Sequence, residues 1–225
     1  MSVEERLHEI EEKITCAAQK SGRTRQDISL IGVTKTVPIE KISAVYSLGL
    51  CDFGENRTVE LAHKQQILPR ATWHMIGRLQ TNKVKDIILP AALIHSLDRW
   101  DLAEEINKRA AAVNKVMNCL LQVNVAGEKQ KGGVAPQAVE AFLQSMDKLP
   151  NLRVQGLMMI APLEENREKS RIFFKKMKIL FDNMGERRYN GVVMEYLSMG
   201  MSGDYETAIE EGANMVRIGT AIFAD

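Results

Sequence analysis

The 225-residue sequence contains little cysteine and has no residue spacing typical of a metal site. Its three cysteines, Cys16, Cys51 and Cys119, are odd in number and far apart, which fits neither a disulfide framework nor paired zinc ligands. Reduced thiols are typical of the cytoplasm, where we expect this protein to act. None of the four histidines stands in HxH or HExxH spacing, so the sequence predicts no metal site.

Long apolar runs and an excess of charge of one sign are also absent. No run approaches the roughly 18 residues needed to cross a bilayer, and the start, MSVEERLHEIEEK, is too charged for a signal peptide. With 30 Lys and Arg against 29 Asp and Glu, the formal net charge is +1, which gives no general attraction to nucleic acid or an anionic membrane. The sequence therefore predicts a folded protein with neither kind of partner.

Helical and strand patterns alternate along the chain. A helix is predicted over 1–20, because apolar residues recur at helical spacing and Ser2 with Glu5 form a capping-box pattern. Short apolar runs predict strands at 28–34, 50–53, 72–76, 92–96, 116–125, 152–160, 194–198 and 214–218. The helices predicted between them cover 38–49, 55–69, 80–89, 99–113, 135–148, 165–183 and 204–211.

Eight alternating β and α units leave two main closures, an eight-stranded barrel or an open doubly wound sheet. The barrel is favoured because it commonly occupies about 200–250 residues. No linker or low-complexity stretch breaks the pattern. We therefore predict an α/β protein with one (β/α)8 TIM-barrel domain over 1–225, carrying an additional N-terminal helix packed on the barrel.

A lysine at the end of the first predicted strand is the first candidate functional residue. Side chains alternate along a strand, so Ile31, Val33 and Lys35 are expected to share one face. If that face lines the barrel, Lys35 is nearly buried at the mouth, where lost hydration favours the neutral amine that forms a Schiff base with a carbonyl. The alternative is a lysine whose charged end reaches solvent from the strand end.

The loops after strands seven and eight are rich in small residues, and in barrels of this kind they often bind phosphate. The first loop offers the hydroxyls of Ser198 and Ser202 before a predicted helix, and the second offers Gly219 and Thr220. Backbone amides and hydroxyls can converge there on an anion. Ordinary helix caps are the alternative interpretation.

Arg217 is expected on the same face of strand eight as Met215 and Gly219. A lysine on strand one opposite an arginine on strand eight, beside a phosphate cup, suits an aldehyde-bearing phosphate such as pyridoxal 5′-phosphate. An aspartate at the pyridine nitrogen would keep it protonated and make the ring a strong electron sink, whereas an arginine does the reverse. The sequence thus predicts a cofactor that is held but electronically restrained.

Other polar residues follow strands two, three and five. Asn56 enters a helix after Phe53-Gly54-Glu55, and His74 lies within strand three, where a hydrogen-bonded core histidine is the commoner role. Lys83 and Lys131 are rival amines at the same mouth, and solvated surface lysines are their ordinary interpretation.

Several segments together resemble one known family. They are Gly32-Val33-Thr34-Lys35-Thr36, Phe53-Gly54-Glu55-Asn56, the run from Trp73 to Lys83, Gly156-Leu157-Met158, Leu197-Ser198-Met199-Gly200-Met201-Ser202 and the run from Val216 to Phe223. In this order they are similar to the YggS/PROSC family of pyridoxal phosphate homeostasis proteins, over about residues 28–223. The resemblance implies a barrel related to the N-terminal domain of alanine racemase. It also implies a cofactor held as a Schiff base, no established catalytic turnover, and a role in vitamin B6 and amino-acid homeostasis.

Position by position, the resemblance implies that Lys35 forms the internal aldimine with pyridoxal 5′-phosphate and that Arg217 faces the pyridine nitrogen. The residues it implies around the phosphate are Ser198, the Met199 backbone, Gly219 and Thr220. Asn56 and His74 would line the pocket. Two departures from the family pattern are Arg57, where an aromatic residue often stands, and an end at Ala224-Asp225 without the usual Gly-x-Arg-type tail.

Three functions are compatible with these residues. A holder that buffers or delivers pyridoxal phosphate is favoured, with apo-enzymes that require the cofactor as candidate recipients. A racemase-like enzyme needs acid–base groups on both sides of the substrate α-carbon, and alanine racemase takes its opposing tyrosine from a second domain of a partner subunit, for which no sequence remains here. We therefore expect a monomer without such turnover. The third function, a Schiff-base aldolase, lacks an evident carboxylate beside Lys35.

Overall fold

The computed structural model describes residues 1–128, 132–162 and 167–224. Within these residues eight parallel strands close into a barrel in chain order, with the last strand paired to the first. The strands are β1 Ser29–Val33, β2 Asp52–Glu55, β3 Thr72–Met75, β4 Leu93–Leu97, β5 Met117–Gln122, β6 Leu152–Met158, β7 Val192–Ser198 and β8 Met215–Ile218. The predicted α/β barrel is confirmed.

The helices surround this barrel. They are α1 Val3–Lys20, α2 Ile39–Ser47, α3 Thr58–Ile67, α4 Val84–Ile87, α5 Trp100–Ala112, α6 Val139–Gln144, α7 Arg167–Gly185, α8 Tyr205–Glu210 and α9 Thr220–Phe223. The sequence did not predict α9, and the helices predicted over 80–89 and 135–148 are shorter, since Thr81–Lys83, Pro136–Ala138 and Ser145–Lys148 form 3-10 turns beside them. No helix in the described ranges is long and apolar enough to cross a membrane.

Strand β2 lies two residues later than the sequence pattern predicts. Gly49 has a φ of 101°, and the Leu50 amide donates to the Val45 carbonyl at 3.3 Å, so residues 49–50 belong to the end of α2. The ladder to β3 then runs from Asp52 to Glu55. Glu55 is consequently a fully buried strand residue and does not belong to the mouth loop.

Apolar side chains fill two layers, one inside the barrel and one between the strands and the helices. The inner layer consists of Ile31, Leu93, Leu120, Met158 and Met215, with Ile160 and Tyr196 partly buried against it.

Helix α1 begins at a capping box, in which the Glu5 amide donates to Ser2 Oγ at 3.1 Å, and it buries an apolar face towards α8 and α9. Each leucine or isoleucine buried there contributes about 1.5–3 kcal/mol.

Candidate cofactor site at the barrel mouth

Lys35 lies just beyond the end of β1, in a turn. Thr36 adopts the left-handed region with a φ of 61°, and the Val37 amide donates to the Thr34 carbonyl at 3.0 Å. This turn ends the alternation of the strand, so Lys35 is exposed, which agrees with the alternative of a lysine that reaches solvent from the strand end and not with burial. The amine instead reaches a cleft of about 440 Å³ at the carboxyl end of the barrel.

A buried ion pair holds the residue that precedes Lys35. The Lys64 ammonium on α3 donates to Glu55 Oε1 at 2.5 Å and to the Thr34 carbonyl at 2.8 Å. The Thr34 hydroxyl donates to the same Glu55 oxygen at 2.6 Å. Because all three side chains are buried, these bonds are shielded from water and fix the peptide from which Lys35 projects.

The loops that follow β7 and β8 meet beside Lys35. Gly219 and Thr220 line the same cleft as Lys35. Ser202 Oγ accepts hydrogen bonds from the Gly219 and Ala221 amides, both at 3.3 Å, which joins the two loops. Within the described residues the amides of Ser202, Gly203 and Thr220 have no hydrogen-bond partner. Such N–H groups are suited to bind an anion.

Glycines allow this close approach of the two loops and β1. A Cβ added to Gly219 would lie 3.1 Å from Val33 Cβ and 3.2 Å from the Val33 carbonyl oxygen. At Gly200 the φ of 94° is strained for other residues, and a Cβ would lie 2.6 Å from that of Ala208. Both positions therefore favour glycine, because a side chain at either one would press on neighbouring residues.

Two predicted phosphate ligands lie elsewhere. Ser198 is fully buried, and its hydroxyl contacts Arg217 and His95 within the barrel. The Met199 amide donates to the Met215 carbonyl at 3.1 Å, and its side chain packs in the outer core. The structure does not bring either group to the cleft lined by Lys35, Gly219 and Thr220. Ser202, not Ser198, contacts the loop that follows β8.

Arg217 is a buried cation on the barrel-facing side of β8. Its Nη1 donates to Ser198 Oγ at 2.5 Å, and its Nη2 donates to the Met159 carbonyl at 2.9 Å. Burial lowers the pKa of Arg217 to about 10, and the nearby Asp204 carboxylate opposes that shift. The guanidinium therefore stays charged at neutral pH. Two neutral oxygens hold it in place.

His74 belongs to a chain of side chains inside the barrel. Its Nε2 lies 3.0 Å from Asp52 Oδ1, and its Nδ1 lies 3.1 Å from His95 Nε2. His95 Nδ1 in turn lies 3.2 Å from Ser198 Oγ. Burial lowers the pKa of His95 well below its usual range, with further lowering by the Arg217 charge and by His74 when it is protonated, so His95 is neutral. His74 thus connects to Arg217 through the barrel and does not lie in the cleft of Lys35.

Asn56 lies at a second, larger cleft of the mouth. It is exposed at the end of β2 and lines a space of about 1020 Å³ with residues that follow β3 and β4. Arg57 is also exposed and pairs with Glu60 at 3.6 Å. Lys83 lines this second cleft, which separates it from the groups around Lys35. Lys131 lies outside the described residues.

Sequence reasoning missed Asp52, Lys64 and His95. Each makes contacts with residues 9 to 103 positions away, which no local periodicity indicates. One signal was available. His95 and Ser96 stand between apolar residues in the buried strand Leu93–Leu97, and a polar residue in a buried strand needs a partner.

The comparisons with known proteins agree on one family. The family model described as "Alanine racemase, N-terminal domain" matches residues 6–225. A pyridoxal phosphate homeostasis protein of Aquifex aeolicus is 47% identical, covering 100% of this chain and 99% of that protein. A protein of the same name from Pseudomonas aeruginosa is 38% identical, with 99% and 95% covered.

Solved structures extend this likeness. A protein of unknown function from Bifidobacterium adolescentis matches with a TM-score of 0.93 and 33% identity, covering 98% of this chain and 94% of that one. PipY of Synechococcus elongatus, solved with PLP bound, matches with a TM-score of 0.86 and 30% identity, with 99% and 100% covered. Alanine racemase of Corynebacterium glutamicum shares the fold alone, at 15% identity and a TM-score of 0.66, with 95% and 59% covered.

Proposed function

This chain belongs to the pyridoxal phosphate homeostasis protein family, and from that premise we propose that it binds pyridoxal 5′-phosphate through Lys35 and buffers or delivers it. The observation that carries the proposal is that Lys35 shares one cleft with Gly219 and Thr220, beside unpaired backbone amides. PipY with PLP bound, at 30% identity over the whole chain, supports the same ligand.

The residues at the mouth fit the chemical groups of this cofactor. The Lys35 amine can condense with the aldehyde to a Schiff base, which releases one water. The amides of Ser202, Gly203 and Thr220 suit the phosphate. Arg217 is buried and charged, and its guanidinium has N–H groups beyond the two that bind Ser198 and Met159.

Arg217 also favours holding over turnover. When bound, the cofactor supplies an electron sink that is strong only if its pyridine nitrogen is protonated. An arginine facing that nitrogen can only donate a hydrogen bond, so it leaves the nitrogen without a proton of its own. The charge of Arg217 at neutral pH, with a pKa of about 10, supports this assignment.

A racemase-like activity is the competing function, since alanine racemase shares this fold. It would need a second acid–base group opposite Lys35. None of the four tyrosines lines the cleft of Lys35. Tyr196 faces the barrel interior, while Tyr46, Tyr189 and Tyr205 pack in the outer core. A Schiff-base aldolase is disfavoured for a related reason, because no carboxylate from the described residues lines that cleft.

Further parts of the proposal concern the cellular setting. All three cysteines are unpaired, which supports a cytoplasmic location. We infer a monomer that exchanges the cofactor with apo-enzymes that require it.

The assignment is tested by adding pyridoxal 5′-phosphate to the purified protein, reducing with borohydride and mapping the modified peptide. Label on Lys35, with no absorbance from bound cofactor in Lys35→Ala, is expected. Lys83→Ala is the matched control and should bind as the unaltered protein does. Label on Lys83, or no binding at all, would overturn the proposal. Exchange of amino-acid α-protons in heavy water, at a rate far above that of free cofactor, would show an enzyme instead.

A further inference from the structure

A continuous line of hydrogen bonds crosses the barrel from Arg217 to its opposite end. From Arg217 it passes to Ser198 at 2.5 Å, to His95 at 3.2 Å, to His74 at 3.1 Å and to Asp52 at 3.0 Å. The first four side chains are buried, whereas that of Asp52 is 41% exposed. Asp52 begins β2, so it lies at the amino-terminal end of the parallel strands, away from Lys35. It lines a cleft of about 350 Å³ there, beside α1.

While both histidines are neutral, the chemistry of the two ends fixes the direction of every bond. A guanidinium only donates and a carboxylate only accepts, so Arg217 donates to Ser198 Oγ and His74 Nε2–H donates to Asp52. A neutral imidazole has one donor and one acceptor. His74 Nδ1 must then accept from His95 Nε2–H, and His95 Nδ1 must accept from the Ser198 hydroxyl. Four bonds thus run in one direction, with no donor opposed to a donor.

We propose that Asp52, His74, His95 and Ser198 form one relay of positioning residues that holds the Arg217 guanidinium in place and links it to the far end of the barrel. This inference rests on the proposed function in taking Arg217 to face the cofactor. A buried polar side chain in an apolar interior is costly unless it is hydrogen-bonded, and each member of this line supplies the partner that the next one needs.

One added proton would reverse the relay. A protonated His74 donates from both ring nitrogens, so His95 must accept at Nε2 and donate from Nδ1 to Ser198. The Ser198 hydroxyl then accepts from both Arg217 and His95, and its own proton can no longer be donated to His95. The charged and titratable groups around His74 and His95 are Asp52 on β2, which also acts on Tyr196 of β7, and Arg217 on β8, with Asp204 near Arg217.

Nitrogen NMR of the ¹⁵N-labelled full-length protein tests the relay without any cofactor. The two exposed histidines, His8 and His63, serve as internal references because they exchange freely with water. His74 and His95 should each show a single Nε2–H tautomer with a protected, visible ring proton. An Nδ1–H tautomer of His95 at neutral pH would overturn the proposal.

Asp52→Asn is the first informative variant, since it lies at the exposed end. A carboxamide can donate or accept, so the direction is no longer fixed, and His95 should show a mixture of tautomers. A spectrum of His95 unchanged from that of the unaltered protein would contradict the relay. If these tautomer results are as expected while no pyridoxal 5′-phosphate binds, the proposed function fails and the relay stands.

Ser198→Ala tests the link to Arg217, and Ser96→Ala is its matched control. Both serines are buried, and Ser96 Oγ has no hydrogen-bond partner in the described residues, although it adjoins His95 in sequence. Ser198→Ala should weaken binding of pyridoxal 5′-phosphate about tenfold and shift the absorbance of the bound cofactor. Ser96→Ala should do neither. Equal binding by the two variants would overturn the positioning role.

Discussion

The ammonium of Lys64 lies 2.5 Å from a carboxylate oxygen of Glu55, and both groups are buried behind the peptide that leads to Lys35. Removing one partner leaves the other charge without compensation. We therefore expect Lys64→Met to lower the free energy of unfolding by about 3–5 kcal/mol, as measured by urea denaturation.

Two comparisons separate this effect from a general loss of charge. Lys13→Met removes an ion pair with Glu9 in which both side chains are almost half exposed, and it should change stability little. Adding Glu55→Gln to Lys64→Met should recover part of the loss, because it removes the unpaired buried charge. A double variant less stable than Lys64→Met would show that the unpaired charge of Glu55 is not the source of the loss.

Neutral, buried His95 makes stability depend on pH. Its folded-state pKa lies well below the ordinary 6.5, so below pH 6.5 the unfolded chain binds a proton that the folded protein excludes. The contribution to stability is complete above pH 6.5 and falls as the pH drops towards the folded-state value. The slope is at most about 1.4 kcal/mol per pH unit. Urea midpoints measured between pH 7.5 and 5.5 should show this fall, and His95→Gln should flatten it.

The order of the barrel strands was predictable because each parallel strand, covered on both faces, appears as a short apolar run between amphipathic helices. The ends of β2 were not predictable, since Glu55 is a charged residue whose partner, Lys64, comes from the next helix. Charge at a strand end looks the same in sequence whether it meets solvent or a buried ammonium.

The site shows the same division between local and distant information. Gly219, Thr220 and Lys35 follow strand ends, so the fold itself brings them to one mouth. The alternation rule failed at Lys35 because Thr36 takes a left-handed conformation, which no side-chain pattern indicates. Ser198 and Ser202 are only four positions apart. Ser198 ends β7 and points into the barrel, whereas Ser202 lies in the following loop and contacts Gly219, and the local sequence does not distinguish the two.

Gly219 is expected to be intolerant of a side chain, whereas Gly203 is not. A Cβ at Gly219 would press on Val33, while a Cβ at Gly203 would meet nothing within 4 Å. Gly219→Ala should lower the free energy of unfolding by about 1–3 kcal/mol and weaken cofactor binding. Gly203→Ala should leave the unfolding midpoint unchanged. Equal midpoints for the two variants would contradict this steric account.

Ser202 and Ser198 can be distinguished by comparing two ligands, pyridoxal 5′-phosphate and pyridoxal, which differ only in the phosphate. Ser202 Oγ accepts from the Gly219 and Ala221 amides and so organises the loops that we assign to the phosphate. Ser202→Ala should therefore reduce the preference for the phosphorylated ligand, by about tenfold if one hydrogen bond is lost. Ser198→Ala should weaken both ligands alike, because its hydroxyl acts through Arg217. The affinity of each variant for both ligands is measured by titration. A loss of phosphate preference in Ser198→Ala alone would show that Ser198, and not Ser202, contributes to phosphate binding.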